Sequence, residues 1–137
     1  MIGILIVSHG AFGESLIESA TQMLGKPPLF VEQVGMHAQD DPDAVLPRAQ
    51  ERVRALDQGD GVLVLTDIPG ATPSNMARRL LVPGKVEGVT GVSLPMLMRA
   101  LTYRNEPLAT VVLKALSASR ECVIQMNPDS TDAAKRD

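Results

Sequence analysis

Met1-Ile2-Gly3-Ile4-Leu5-Ile6-Val7-Ser8-His9-Gly10 is an apolar run that stops at a serine, a histidine and a glycine. Branched aliphatics dominate it, and no polar residue alternates with them. A strand with one wet face alternates; a strand buried on both faces reads as a continuous run, and such strands sit in the middle of parallel sheets. Ligands of open α/β sheets bind at the carboxyl ends of the strands. The carboxyl end of this strand presents His9.

A second run of the same kind, Val62-Leu63-Val64-Leu65, ends in Thr66-Asp67-Ile68-Pro69-Gly70-Ala71. Between the two, Leu16, Ile17, Ala20, Met23 and Leu24 form one apolar stripe, which predicts a helix from about Phe12 to Leu24. Gly25 and Pro27-Pro28 end it. Leu29 to Val34 reads as a short strand, followed by a loop through Asp40. Asp41 suits the cap of a second helix with Pro42 at its first position. Val45, Leu46, Ala49, Val53 and Leu56 supply its buried face, and Pro47 disturbs its first turns.

Beyond the second run, Thr72-Pro73 opens a helix to about Val82, with Thr72 as its cap. Val86 to Val92 reads as a strand. Ser93 leads into a helix that resets at Asn105-Glu106-Pro107 and continues to about Ser119. Glu121 to Met126 reads as a last strand, and 127–137 is a polar tail. Strands and helices alternate with short connections, which predicts an α/β domain over residues 1–126. A mainly parallel, doubly wound sheet follows, with right-handed crossovers and helices on both faces.

Composition narrows the function. Over 137 residues, 45% are apolar, 21% are charged and the formal net charge is -3. Mild acidity without a basic cluster argues against nucleic acid or an anionic membrane as partner. Aromatics at 2% leave no base-stacking platform. The apolar runs are too short for a transmembrane helix. No basic segment precedes the first run, so it reads as a strand and not a signal peptide. The single cysteine, Cys122, is expected to face the core. A cytoplasmic domain is the expectation.

Three residues stand out chemically. A lone histidine is more often structural, but His9 directly follows a central strand and sits at a crevice. Asp67 also follows a buried strand. If the two strands are neighbours, His9 and Asp67 meet at a switch point of the sheet. A carboxylate that accepts the N–H of one ring nitrogen fixes the tautomer and leaves the other nitrogen as a nucleophile. Thr72, at a helix N-terminus, stands where backbone N–H groups favour phosphate. This set suits phosphoryl transfer better than acyl transfer. There is no G-x-S-x-G elbow and no GxxxxGK[ST] loop, so neither an acyl-transfer serine nor a nucleoside triphosphate has support. His9, His37, Asp40 and Asp41 are the one conceivable metal cluster, but no HxxxH or CxxC spacing exists. Neither a metal nor another cofactor is expected, and His37 is expected in a solvated loop.

Three segments carry a family resemblance in order and at the right spacing: Ile4-Leu5-Ile6-Val7-Ser8-His9-Gly10, Val64-Leu65-Thr66-Asp67 with Thr72-Pro73-Ser74-Asn75, and Gly91-Val92-Ser93-Leu94-Pro95-Met96-Leu97. The chain resembles the IIA component (EIIA) of the mannose family of the bacterial phosphoenolpyruvate-dependent sugar phosphotransferase system. The resemblance implies a phosphotransferase component with a phosphohistidine at His9, the phosphocarrier protein HPr as donor and a IIB component as acceptor. It implies that Asp67 orients the histidine and that Thr72 takes the place of a serine bonding the phosphoryl oxygens. It implies strand order 2-1-3-4 and a homodimer in which Glu121 to Met126 crosses over. Members that transport sugar usually carry an aromatic and two glycines between the aspartate and the serine; here the segment is Ile68-Pro69-Gly70-Ala71. That departure favours an alternative acceptor, a regulatory protein, and no fused IIB domain is expected.

Overall fold

The computed structural model describes residues 1–127. Four parallel strands form one sheet in the order β2-β1-β3-β4. They are β1 (Gly3–His9), β2 (Val31–Met36), β3 (Val62–Thr66) and β4 (Val86–Val89). The helices are α1 (Phe12–Leu24), α2 (Pro42–Leu56), α3 (Thr72–Arg78), α4 (Leu94–Thr102) and α5 (Leu108–Glu121). The two continuous apolar runs are the two central strands, as their pattern requires. Among the described residues no helix is long and apolar enough to cross a membrane.

Strand periodicity divides the core into two layers. Ile4, Ile6, Leu63 and Leu65 pack with Leu16 and Ala20 of α1, Leu97 of α4 and Val111 and Ala115 of α5. Leu5, Val7, Val62 and Val64 face the other way, against Val45, Ala49 and Val53 of α2 and Met76 and Ala77 of α3. Each fully buried aliphatic side chain contributes about 1.5–3 kcal/mol of transfer free energy. A one-residue slip of β1 would reverse both layers, so its register is tightly specified. The same alternation sends His9 to the side of α2 and α3.

Several boundaries differ from expectation. β2 starts at Val31 instead of Leu29. Buried Arg104 donates to the carbonyls of Leu29 and Phe30 at 2.6 and 3.1 Å and to that of Ile2 at 2.8 and 3.2 Å, and Phe30 O also accepts the Ile4 N–H of β1 at 3.0 Å. β4 stops at Val89 because Gly91, at φ 78°, turns the chain back over β3. α3 ends at Arg78 instead of Val82 and continues only as turns. Pro47 is accommodated inside α2, which runs unbroken from Pro42 to Leu56.

The expected last strand is not formed within the chain. Glu121 ends α5, where it accepts from Arg99 at 2.6 Å, and residues 122–127 carry no strand. A strand needs an edge to bond, and this segment reaches none of its own sheet. Val123, Ile124 and Met126 stand exposed. Cys122 is also exposed, not in the core. Of the expected polar tail, 128–137 lies outside the described residues.

Candidate functional site

His9 is the last residue of β1, and β3 is its neighbour, with Val7 beside Thr66. The condition for His9 to meet Asp67 is therefore fulfilled. The His9 ring Nδ1 lies 2.7 Å from Asp67 Oδ2, and the same oxygen accepts the His9 backbone N–H at 2.9 Å. Asp67 Oδ1 accepts the N–H of Ile68 at 2.9 Å. One carboxylate thus holds both the ring and the main chain of His9. The His9 side chain is 53% exposed and that of Asp67 only 12%. The acceptor is fixed in the wall while half of the ring stays accessible.

The chain fixes Asp67 from behind. Gly91 N–H donates to Asp67 O at 3.0 Å and Val92 N–H to Thr66 O at 2.9 Å, so the turn after β4 clamps the end of β3. Burial would raise the Asp67 carboxyl. The His9 N–H, the His9 ring and the Ile68 N–H outweigh it and hold the carboxyl below its ordinary value. It is a carboxylate at neutral pH. A carboxylate can only accept, so Nδ1 is the donor in this contact and Nε2 is left out of it.

Around the ring is an open cavity of about 450 Å³. His9 borders it from β1, His37 and Asp40 from the loop after β2, Pro42 from the head of α2, and Thr72 and Pro73 from the head of α3. Thr72 therefore shares a cavity with His9, but it is not the cap of α3. The N-cap is Ala71, with no side-chain cap bond, and Thr72 is the first helical residue, exposed. Ala11, the N-cap of α1 just beyond His9, likewise makes no side-chain cap bond. The hydroxyl of Thr72 and the first-turn amides of both helices are not consumed by side-chain caps.

The loop between Asp67 and α3 is pinned by residues to which the pattern assigned no task. Gly70, at φ 82°, donates its N–H to Ser74 Oγ at 3.2 Å, and Asn75 Nδ2 donates to Gly70 O at 3.2 Å. Ser74 and Asn75 were visible as part of the Thr72-Pro73-Ser74-Asn75 segment, but nothing in their spacing announced that they fold back on the loop. Gly35 is needed on the opposite side: a Cβ there would sit 2.1 Å from Gly10 O. His37, expected in solvent, is exposed yet also borders the cavity. His9, His37, Asp40 and Asp41 do not assemble as metal ligands. Among the described residues no three His, Cys, Asp or Glu side chains do.

The chain has known relatives. The family model for the PTS system fructose IIA component (EIIA-man) matches residues 3–117. The chain is 31% identical over 120 residues to the PTS system mannose-specific EIIAB component of Escherichia coli, covering 85% of this chain and 36% of that protein. It is 28% identical over 102 residues to the transcriptional regulatory protein LevR of Bacillus subtilis, covering 74% of this chain and 10% of that one. The chain thus spans about a third or less of the length of these relatives. Among solved structures, the phosphotransferase system component EIIA from Streptococcus agalactiae superposes with a TM-score of 0.82 at 28% identity, over 93% of this chain and 99% of that one. With the sheet order, the three segments and the match over most of its length in agreement, the chain belongs to the mannose/fructose-type IIA (EIIA) family of the sugar phosphotransferase system.

Proposed function

We infer that the protein is a phosphocarrier that accepts a phosphoryl group on Nε2 of His9 and passes it on. The observation that carries this reading is the 2.7 Å contact of Nδ1 with the Asp67 carboxylate, on a ring half open to a cavity. The donor is phospho-HPr, and the site works in the cytoplasm, where that donor would be found. The Nε2 lone pair forms the new P–N bond while the P–N bond of the donor breaks, its electron pair returning to the donor imidazole. The Nδ1 proton stays between the ring and Asp67. Positive charge growing on the ring is balanced by that carboxylate. Thr72 Oγ1 and uncapped amides at the helix heads take the phosphoryl oxygens, so catalysis is positioning and charge stabilisation. The product is a phosphoramidate that can transfer its group again, to a IIB component for carbohydrate uptake.

A second acceptor, a regulatory protein, is favoured by two observations. Ile68, at the lip of the site, is an exposed aliphatic where sugar-transporting members carry an aromatic, and a transcriptional regulator is among the relatives. A homodimer also fits. A groove of about 420 Å³ runs along β4, bordered by Leu81, Gly88, Val89, Val112 and Leu116, and Val123 and Ile124 are exposed apolar residues with strand pattern. Sedimentation of the full chain against one truncated after Cys122 tests it; identical monomeric behaviour rejects the exchange.

The central test incubates the protein with phosphoenolpyruvate, enzyme I and HPr. Acid-labile phosphate on the wild type and none on His9→Ala is expected. Uptake by His9→Ala at the wild-type rate sinks the reading. Pull-downs with wild type, His9→Ala and His9→Asp then separate the acceptors, because a regulatory partner distinguishes the charge states and a carrier's acceptor need not.

A further inference from the structure

A phosphoryl group on His9 brings close to two negative charges into the cavity, beside a carboxylate already there. Charge of that size needs a counter-charge or solvent. Among the described residues no lysine or arginine borders the cavity. Among the described residues, apart from the His9 ring itself, the one bordering side chain able to become cationic is His37. Its place is set by the sheet. Met36 is the register partner of His9, and Gly10 N–H donates to Met36 O at 2.8 Å, so His37 begins where His9 ends. The hydrogen bonds that fix His37 run through its backbone: its N–H donates to Asp40 Oδ2 at 2.8 Å, and its carbonyl accepts from Asp40 N–H at 3.0 Å. The loop is held while the exposed ring is left to the cavity and solvent.

We propose that His37 is a proton-dependent counter-charge for the phosphoryl group on His9, making the phosphorylated state more favourable as pH falls through the histidine range. The proposal rests on the phosphocarrier reading. Asp40 in its own loop and His9 from β1 border the cavity with His37; on the elements beside it Asp67 stands behind His9 on β3, and Asp41 and Asp43 stand at the head of α2, where Asp43 pairs with Arg79 just after α3. Asp40 acts on His37 in both states of His9. The difference between the states therefore reports the phosphoryl group alone. Linkage makes the effect reciprocal: if a cationic His37 stabilises the phosphoryl group, phosphorylation of His9 raises the titration midpoint of His37 by the same free energy.

The test loads the full chain with phosphoramidate, a chemical donor that needs no partner protein. The donor P–N bond breaks with its electron pair leaving as ammonia, and the new P–N bond forms at Nε2. The His37 ring is then followed by NMR from pH 5 to 9 with and without phosphate on His9. The midpoint is expected to rise by about one unit on loading, as for an opposite charge at close range. A unit corresponds to tenfold in equilibrium. The extent of phosphorylation at equilibrium with phospho-HPr, taken as wild type over His37→Gln, should then rise up to about tenfold from pH 8 to pH 6. His37→Lys should keep a high level across that range. An unmoved midpoint, or a flat ratio on a protein that does take phosphate at His9, overturns the proposal and leaves the carrier reading standing. If neither donor loads His9, both fall together.

Discussion

The two ends of the same four strands are built on opposite principles. At the amino end Arg104 is buried, and its guanidinium makes four hydrogen bonds to the carbonyls of Ile2, Leu29 and Phe30, while Ile2 N–H returns one to Arg104 O. The four side-chain bonds all go to main-chain oxygens, and burial pushes the guanidinium pKa down from its ordinary value. At the carboxyl end only one side of the His9 ring is tied, and the other is accessible. Thr72 stands exposed beside it. One end satisfies its polar groups and closes the layer; the other leaves them open to the cavity. Stability and chemistry should therefore separate along the strands.

His9→Ala should give the largest effect at the open end, complete loss of acid-labile phosphate, with stability changed by less than about 1 kcal/mol because the ring is half exposed. Arg104→Met is its mirror image. It removes the guanidinium from the buried carbonyl of Ile2 and the part-buried ones of Leu29 and Phe30, and should lower the unfolding free energy by about 3 kcal/mol in urea titrations. Phosphate uptake below the transition should stay near wild type. If Arg104→Met abolished uptake in a folded protein, the two ends would not be independent.

Asp67→Asn comes next. It keeps the shape and removes the charge that fixes the Nδ1–H tautomer, so uptake should fall about 100-fold. It also sharpens the comparison through pH. The Asp67 carboxyl is held below its ordinary value, so its contribution to stability is present above the unfolded value of about 3.9 and lost as pH falls through the lower folded value. Urea midpoints of wild type should drop over that acid range more steeply than those of Asp67→Asn. Parallel curves would mean that the carboxylate does little for the fold.

The sequence made the central strands legible because burial on both faces leaves an unbroken apolar run, and β1 and β3 are buried throughout. His9 and Asp67 were legible as strand ends. Pattern alone makes their contact conditional, since adjacency of β1 and β3 depends on how the crossovers run, and it is the family resemblance that implies the strand order. Leu29 and Phe30 look like strand, and nothing in their pattern announces that a guanidinium about 75 residues away bonds their carbonyls. Val123 and Ile124 carry strand pattern too, but pattern does not supply an edge. Thr72 read as a cap because threonine before proline usually is one. The helix begins one residue earlier, and the hydroxyl is thereby set beside the cavity instead of spent on its own helix.

That shift defines the smallest of the effects and the one that tests the comparison most finely. A capping threonine would cost about 1 kcal/mol when replaced by alanine. A first-turn threonine with an exposed hydroxyl should cost almost nothing. Thr72→Ala should therefore leave the urea midpoint unchanged while slowing uptake about tenfold, the loss of one hydrogen bond to a charged group. Thr72→Ser should restore the rate, because it returns the hydroxyl without the methyl. Were Thr72→Ala to lower stability by a full kcal/mol at an unchanged rate, the hydroxyl would serve the helix after all. The open end would then be poorer by one donor to the phosphoryl group, and the uncapped amides would have to carry its oxygens alone.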